Sequence, residues 1–362
     1  MSRSALLLMI LCVLSGVGAS AAGTAAPLTP ERRPPSGLSD DPDGLFPATA
    51  ALLDASFDDF NRLAFDRAES EAEQAARAQP ELPAPYVYLS ACLTSRVQEE
   101  QCAQRSDAAT CARFDRACAE GIRRAEEWGR TRGEARGALY LGTFYGSEGL
   151  VRLYQNRLLA AYQDGRKADA QLKRAEALDP TLAEADLGRG QYLYECGRLG
   201  GVLRFFLALP GDIPGGIARM ERCAREGGRC ALLARIVLGR IFTLEEPDFA
   251  RALPYIQEVL DRYPENWAYV SEALIEAQGL GMGNPAARAL VETVGRRWDA
   301  GWRPPAYAKI DPGPLRLELA CWKDAQGDPS GARDEREALV RDGGPSAAEA
   351  SRELGLSPGS GR

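Results

Sequence analysis

The chain has nine cysteines and no histidine among 362 residues, and those two facts bound its chemistry. Without imidazole there is no Ser-His-Asp or Cys-His nucleophile, no HExxH zinc site and no side chain that ordinarily titrates near neutrality. The chain therefore reads as a non-enzyme that needs no cofactor. Cys12 lies in an apolar leader, which leaves Cys92, Cys102, Cys111, Cys118, Cys196, Cys223, Cys230 and Cys321. An even number of thiols behind a secretory leader favours disulfides. Nested pairs, Cys92 with Cys118 and Cys102 with Cys111, would clamp the polar segment Gln98–Thr110, one of three possible connectivities. Cys223 and Cys230 straddle Gly227-Gly228 and would bridge two helices across that turn, leaving Cys196 with Cys321 as a long-range pair. Each bridge would contribute roughly 2–4 kcal/mol. None of the eight has the CxxC spacing of a metal site, so no metal is expected.

Other candidate chemistry is weaker. The adjacent acids Glu99-Glu100 and Glu245-Glu246 are two pairs among 51 acidic residues, and solvated faces account for them. Gly279-Leu280-Gly281-Met282-Gly283 lacks the lysine and hydroxyl of a phosphate loop and follows no predicted strand, so it reads as a turn. The apolar run Val202–Leu209 contains Arg204 and is too short to span a bilayer, so it reads as a buried helix. A net charge of −7 argues against a nucleic-acid partner, which needs a clustered basic field.

The N-terminus has an address of its own. Arg3, the apolar run Ala5–Val17 and Ala19-Ser20-Ala21-Ala22 fit a signal peptide over residues 1–22, and the run is too short to be a membrane anchor. Leu11 stands where a lipoprotein signal would want a small residue. A secreted or periplasmic protein is expected, with no transmembrane segment in its mature chain. Residues 23–46, rich in Pro, Gly, Ser and Thr, read as a flexible linker.

Beyond residue 46, hydrophobic periodicity is helical almost throughout. Helices are expected near 47–62, 64–78, 85–97, 108–128, 134–163, 166–178, 182–195, 200–208, 214–226, 229–243, 248–262, 266–278, 285–299, 313–326, 329–341 and 346–354. The segment 134–163 carries Gly137, Gly142, Gly146 and Gly149, a spacing that another helix coming close would explain. Ala168, Leu172, Ala175 and Pro180, spaced i, i+4, i+7 and i+12, put a small-residue stripe on one helical face and a stop after it. The pattern recurs as Ala68, Ala72, Ala75, Pro80 and as Ala252, Ile256, Val259, Pro264.

With Leu141-Gly142, Leu187-Gly188, Leu238-Gly239 and Leu319-Ala320, these stripes resemble the tetratricopeptide repeat, over roughly residues 60–342. The stretch Leu203–Pro210, Gly211-Asp212 and Gly216 is similar to a sub-family of exported bacterial repeat proteins of unassigned role. The resemblance implies an all-α fold, a superhelical stack of antiparallel helical hairpins over 47–342, with a C-terminal helix and disordered tail over 343–362. It also implies that the first helix of each unit lines a concave surface, so that Arg189 and Arg240, just after the Leu-Gly pairs, would face a ligand with Tyr192 beside them. Two arginines on such a wall would suit an acidic peptide; in a chain so rich in arginine, both also read as ordinary surface charge.

Three functions fit. The first is an exported binding or scaffolding protein that holds a protein or peptide on a concave face. The second is a periplasmic ligand carrier with an aromatic cavity around Tyr140, Phe144, Tyr145, Phe205 and Phe206. The third is a hydrolase working by carboxylates alone. An open polar face would favour the first, an apolar pocket the second, and two buried carboxyls converging in a cleft the third.

Overall fold

The computed structural model describes residues 41–102, 107–199 and 209–356. The expected signal peptide, linker residues 23–40, the apolar stretch 200–208 with Phe205 and Phe206, and the tail 357–362 lie outside the described residues. Every regular element among the described residues is helical, and none is a strand. Consecutive helices pack on one another as antiparallel hairpins, which is an α-solenoid type of stack. The chain divides into two compact units, residues 1–235 and 236–362.

The first unit holds α1 (Pro47–Asn61), α2 (Phe65–Ala78), α3 (Ala84–Cys102), α4 (Ala108–Thr131), α5 (Glu134–Tyr154), α6 (Leu158–Leu178), α7 (Glu184–Arg198) and α8 (Ile213–Glu226). The unit boundary falls within α9 (Ala231–Arg240). The second unit continues with α10 (Phe249–Arg262), α11 (Trp267–Leu280), α12 (Pro285–Asp299), α13 (Gly313–Ala325), α14 (Pro329–Asp342) and α15 (Ala347–Glu353). Side-chain caps start several of these helices: Asp107, Asp212, Asp248, Asn266, Asn284 and Asp328 each accept a first-turn N–H.

The recurring stripes are buried as their spacing requires. Ala68, Ala72 and Ala75 on α2, Ala168, Leu172 and Ala175 on α6, and Ala252, Ile256 and Val259 on α10 all face inward. Each helix ends just before the dipeptide that carries its proline, because that ring has no N–H to continue the ladder. Leu172 shows why glycine recurs opposite the stripe. A Cβ on Gly142 of α5 would lie 2.6 Å from Leu172 Cγ, and one on Gly188 of α7 would lie 2.7 Å from its Cδ1. Any larger residue at either position would push the helices apart.

Three boundaries differ from the periodicity. The expected helix 134–163 is broken at Gln155–Arg157, where Asn156 takes φ +58°, a left-handed turn that asparagine tolerates better than most residues. Gly165, which falls between the expected helices 134–163 and 166–178, lies inside α6. Residues 41–46, placed in the linker by composition, are docked. Asp43 accepts from Arg136 Nη1 at 2.7 Å and from the Tyr140 hydroxyl at 2.5 Å, and Gln79 takes the Phe46 N–H at 2.8 Å.

The expected disulfides are not formed. Cys92, Cys111, Cys118, Cys196, Cys223, Cys230 and Cys321 carry no disulfide, and the side chain of Cys102 lies outside the described ones. The reason is the direction each points. Cys92 meets Ser56 of α1, whereas Cys111 accepts from Gln155 beyond the end of α5. What joins α3 to α4 is polar: Glu100 accepts from the Thr110 hydroxyl at 2.8 Å and the Asp107 N–H at 3.2 Å. Cys223 and Cys230 hydrogen-bond as thiols, while Cys196 is buried in the first unit and Cys321 exposed on α13. Burial pushes the Cys92 thiol up to about 12 and raises Cys118 as well, which keeps both in the unreactive protonated form. No helix among the described residues is long and apolar enough to cross a membrane.

Candidate functional site

A partly enclosed cavity of about 480 Å³ opens in the first unit between α5, α6 and α7. Its size lies within the range of small-molecule sites. The α5 wall is made by Leu139, Thr143, Gly146, Leu150 and Leu153, which recur every three or four residues and so share one face. The α7 wall repeats this with Leu187, Gln191 and Glu195 at i, i+4 and i+8. From α6 come Ala161, Gly165 and Ala168, all small, and this is why the helices leave a gap. A Cβ on Gly165 would touch only Tyr192 Cε2, at an unstrained 3.6 Å. Leu158 and Leu159 also line the cavity and are 54% and 71% exposed, which makes an apolar rim.

Of the residues expected to form an aromatic lining, Tyr140, Phe144 and Tyr145 do not line the cavity, and Phe205 and Phe206 lie outside the described residues. Tyr140 and Phe144 sit on the opposite face of α5. Tyr140 bonds Asp43 and packs edge-on against Trp128, and the Phe144 ring fills the space beside Gly121 on α4. Tyr145 stands under the Lys167 ammonium, 5.3 Å from the ring centre. Tyr162 and Tyr192 are the tyrosines that do line the cavity.

The polar groups of the wall are few and under-bonded. Asp169 binds Lys173 Nζ at 2.5 Å through Oδ2, but its Oδ1 has no hydrogen-bond partner and the Arg189 Nε lies 3.8 Å away. Gln191 is 3% exposed, and its Nε2 has no partner either. The Tyr192 hydroxyl lies beside the Cys196 thiol, and burial raises its pKa. Glu195 is pushed up to about 7 by burial, against a weaker opposing pull from Arg198 at 3.9 Å. Glu184 is raised by burial too, with Arg136 at 3.7 Å working the other way. Each buried group left without a hydrogen bond costs about 1–3 kcal/mol, so several around one gap call for an explanation.

The arginines expected at a binding groove are occupied. Arg189 is ion-paired with Glu176 and Asp169, and Arg240 binds Glu272 Oε1 at 2.6 Å. Both side chains are nearly covered, and they belong to different units. Only Tyr192 of that trio reaches the cavity. Of the acidic pairs, Glu100 is engaged with Thr110, and the side chain of Glu99 is not among those described. Sequence reasoning passes over Asp169, Gln191 and Glu195, although Gln191 and Glu195 stand in register with Leu187 on a face that is otherwise buried. A polar residue on an apolar stripe is the signal that could have found them.

No family model and no curated protein matches this chain.

Proposed function

We propose that this protein is a non-catalytic carrier that holds a small, largely apolar molecule between α5, α6 and α7. The cavity carries the reading. It is lined mainly by leucine, alanine and glycine, has a leucine rim, and offers a few buried polar groups for orientation. The stripes and Leu-Gly pairs support a divergent tetratricopeptide-repeat frame, and the leader sequence supports export to the periplasm or outside the cell. The peptide-scaffold reading loses its anchors, since Arg189 and Arg240 already hold carboxylates of this chain. Hydrolysis has one observation in its favour, the presence of Asp169 and Glu195 in one cavity. Against it, the walls around them are hydrocarbon and offer little to bind a polar substrate through its transition state.

The test is fluorescence titration of the full chain with diphenylhexatriene, a rigid hydrocarbon that brightens in a dry apolar site. Saturable binding is expected. Gly165→Leu would place a side chain in the gap from a Cβ that meets only Tyr192 Cε2, so it should abolish binding in protein shown to be folded by its melting temperature. Absence of saturable binding, or equal binding by the filled variant, overturns the proposal.

A further inference from the structure

We infer that the apolar molecule held in the cavity is a neutral carbonyl compound, an ester or ketone whose oxygen accepts from the side-chain amide of Gln191. This rests on the carrier reading and adds the polar group by which the ligand is oriented. The fixed charges of the wall are already matched within the protein. Among the described residues, the charged side chains that line the cavity are Asp169, Glu184 and Glu195, and no lysine or arginine lines it. Asp169 lies between Lys173, 2.5 Å from Oδ2, and Arg189, 3.8 Å from Oδ1. Arg136 stands 3.7 Å from Glu184. Burial holds Glu195 toward its neutral form, with Arg198 3.9 Å away. A charged head would leave water for a wall with no free counter-ion, which disfavours an ammonium and a carboxylate alike.

Gln191 is the neutral group left over. It lines the cavity from α7, is 3% exposed, and its Nε2 lies buried without a hydrogen-bond partner. Other polar groups of the wall are engaged. The Thr143 hydroxyl donates to the Leu139 carbonyl at 3.0 Å, and the Tyr192 hydroxyl is hydrogen-bonded with the Cys196 thiol. A buried amide N–H left unmet is costly, and what completes it is an acceptor. The setting of Gln191 says that hydrocarbon carries that acceptor. Leu187 stands one turn before it on the same face of α7, and the α5 wall of the cavity supplies Leu139, Leu150 and Leu153. A carbonyl oxygen fits both demands, since it accepts through two lone pairs and brings no donor of its own to be satisfied. A pure hydrocarbon would leave the Gln191 amide as it is.

The experiment displaces bound diphenylhexatriene from the full chain with methyl decanoate, decanoate and decylamine, each below its micelle concentration. At about pH 7.5 the amine is cationic and the acid anionic. Methyl decanoate should displace the probe at a concentration about tenfold or more below either ion, because it alone enters without an unmatched charge. Gln191→Met, close in shape but without the N–H, should raise the ester concentration needed by about fivefold to tenfold and leave the affinity for diphenylhexatriene within about twofold, as the loss of one hydrogen bond predicts. Infrared spectroscopy reads the bond directly. The carbonyl band of the bound ester should lie at lower wavenumber than in hexane and return toward its hexane position in the variant, a change that a merely structural role for Gln191 would not produce. Gln191→Asn, which draws the amide back by one methylene, should act in the same direction and serves if the first variant fails to fold. A preference for either ion, a bound-ester band at its hexane position, or an ester affinity and band unchanged in a folded variant overturns the carbonyl assignment alone. Failure of the hydrocarbon probe itself to bind overturns the carrier reading with it.

Discussion

Leu172 in the first unit and Ile256 in the second do the same job and meet different surroundings. Each is the middle residue of a buried stripe, and each faces the glycine of a Leu-Gly pair. A Cβ on Gly239 would come 3.2 Å from Ile256 Cδ1 and 3.1 Å from Tyr255 Cβ, so the second-unit junction is filled by that tyrosine and by Phe242 stacked on it. In the first unit the corresponding glycines, Gly142 and Gly188, clasp Leu172, but Gly165 nearby meets only the edge of Tyr192 and the cavity opens. The second unit buries a cation among acids. Arg316, 1% exposed, donates to Glu335 at 2.9 Å and to Asp299 at 3.1 Å. One stripe pattern is therefore met by close-packed side chains at Gly239 and by a pocket beside Gly165, and the residues flanking the stripe decide which.

The sharpest way to break that comparison is at Arg316. Arg316→Ala should cost about 3–5 kcal/mol, because it leaves Glu335 and Asp299 without their buried cation. Urea unfolding followed by tryptophan fluorescence would read it, and a loss below about 1 kcal/mol would mean that these ion pairs behave as solvent-screened surface pairs. Next come the two stripe residues. Leu172→Ala and Ile256→Ala should each cost about 2–5 kcal/mol, with the loss at Leu172 smaller, since its side chain borders an existing gap. Equal losses at the two sites, measured as shifts in urea midpoint, would remove the contrast between open and filled junctions.

Acidity offers a third test, with the sign fixed by burial. Glu195 and the buried Glu276 of α11 are both pushed up to about 7, mainly by burial. Their folded pKa lies above the unfolded value, so each binds its proton more tightly in the folded state. That stabilisation is complete below the unfolded carboxyl range and is lost as pH rises through about 7. Glu195→Gln should accordingly flatten the decline in melting temperature between mildly acidic and mildly alkaline buffer. A decline of unchanged steepness in that variant would assign the effect to Glu276 and the rest of the chain. The smallest effect concerns the thiols. Brief iodoacetamide treatment of the native protein should label the exposed Cys321 and spare Cys92, Cys118 and Cys230, as peptide mass spectrometry would show.

Much of the frame is legible in the residues alone, because the information is local. Period and punctuation place α2, α6 and α10, since a stripe of small residues needs only its own helix to exist and a proline needs only its own backbone to stop it. Composition assigns Tyr140 and Phe144 to a cavity that they turn away from, and the assignment fails because periodicity gives faces without saying what each face meets. The cysteine pairings fail for the same reason: spacing along the chain says nothing of whether Cys92 looks toward α1 or toward Cys118.

The sequence by itself determined that this is an all-α chain of stacked hairpins without imidazole chemistry, because helix period and composition are properties of neighbouring residues. Only the tertiary structure decided that three helices stand apart around Gly165, that Asp169 of the cavity wall sits between Lys173 and Arg189, and that Arg189 and Arg240 are already taken. Those facts depend on which side chains from distant positions share a space, and a space between helices belongs to no single segment of the chain.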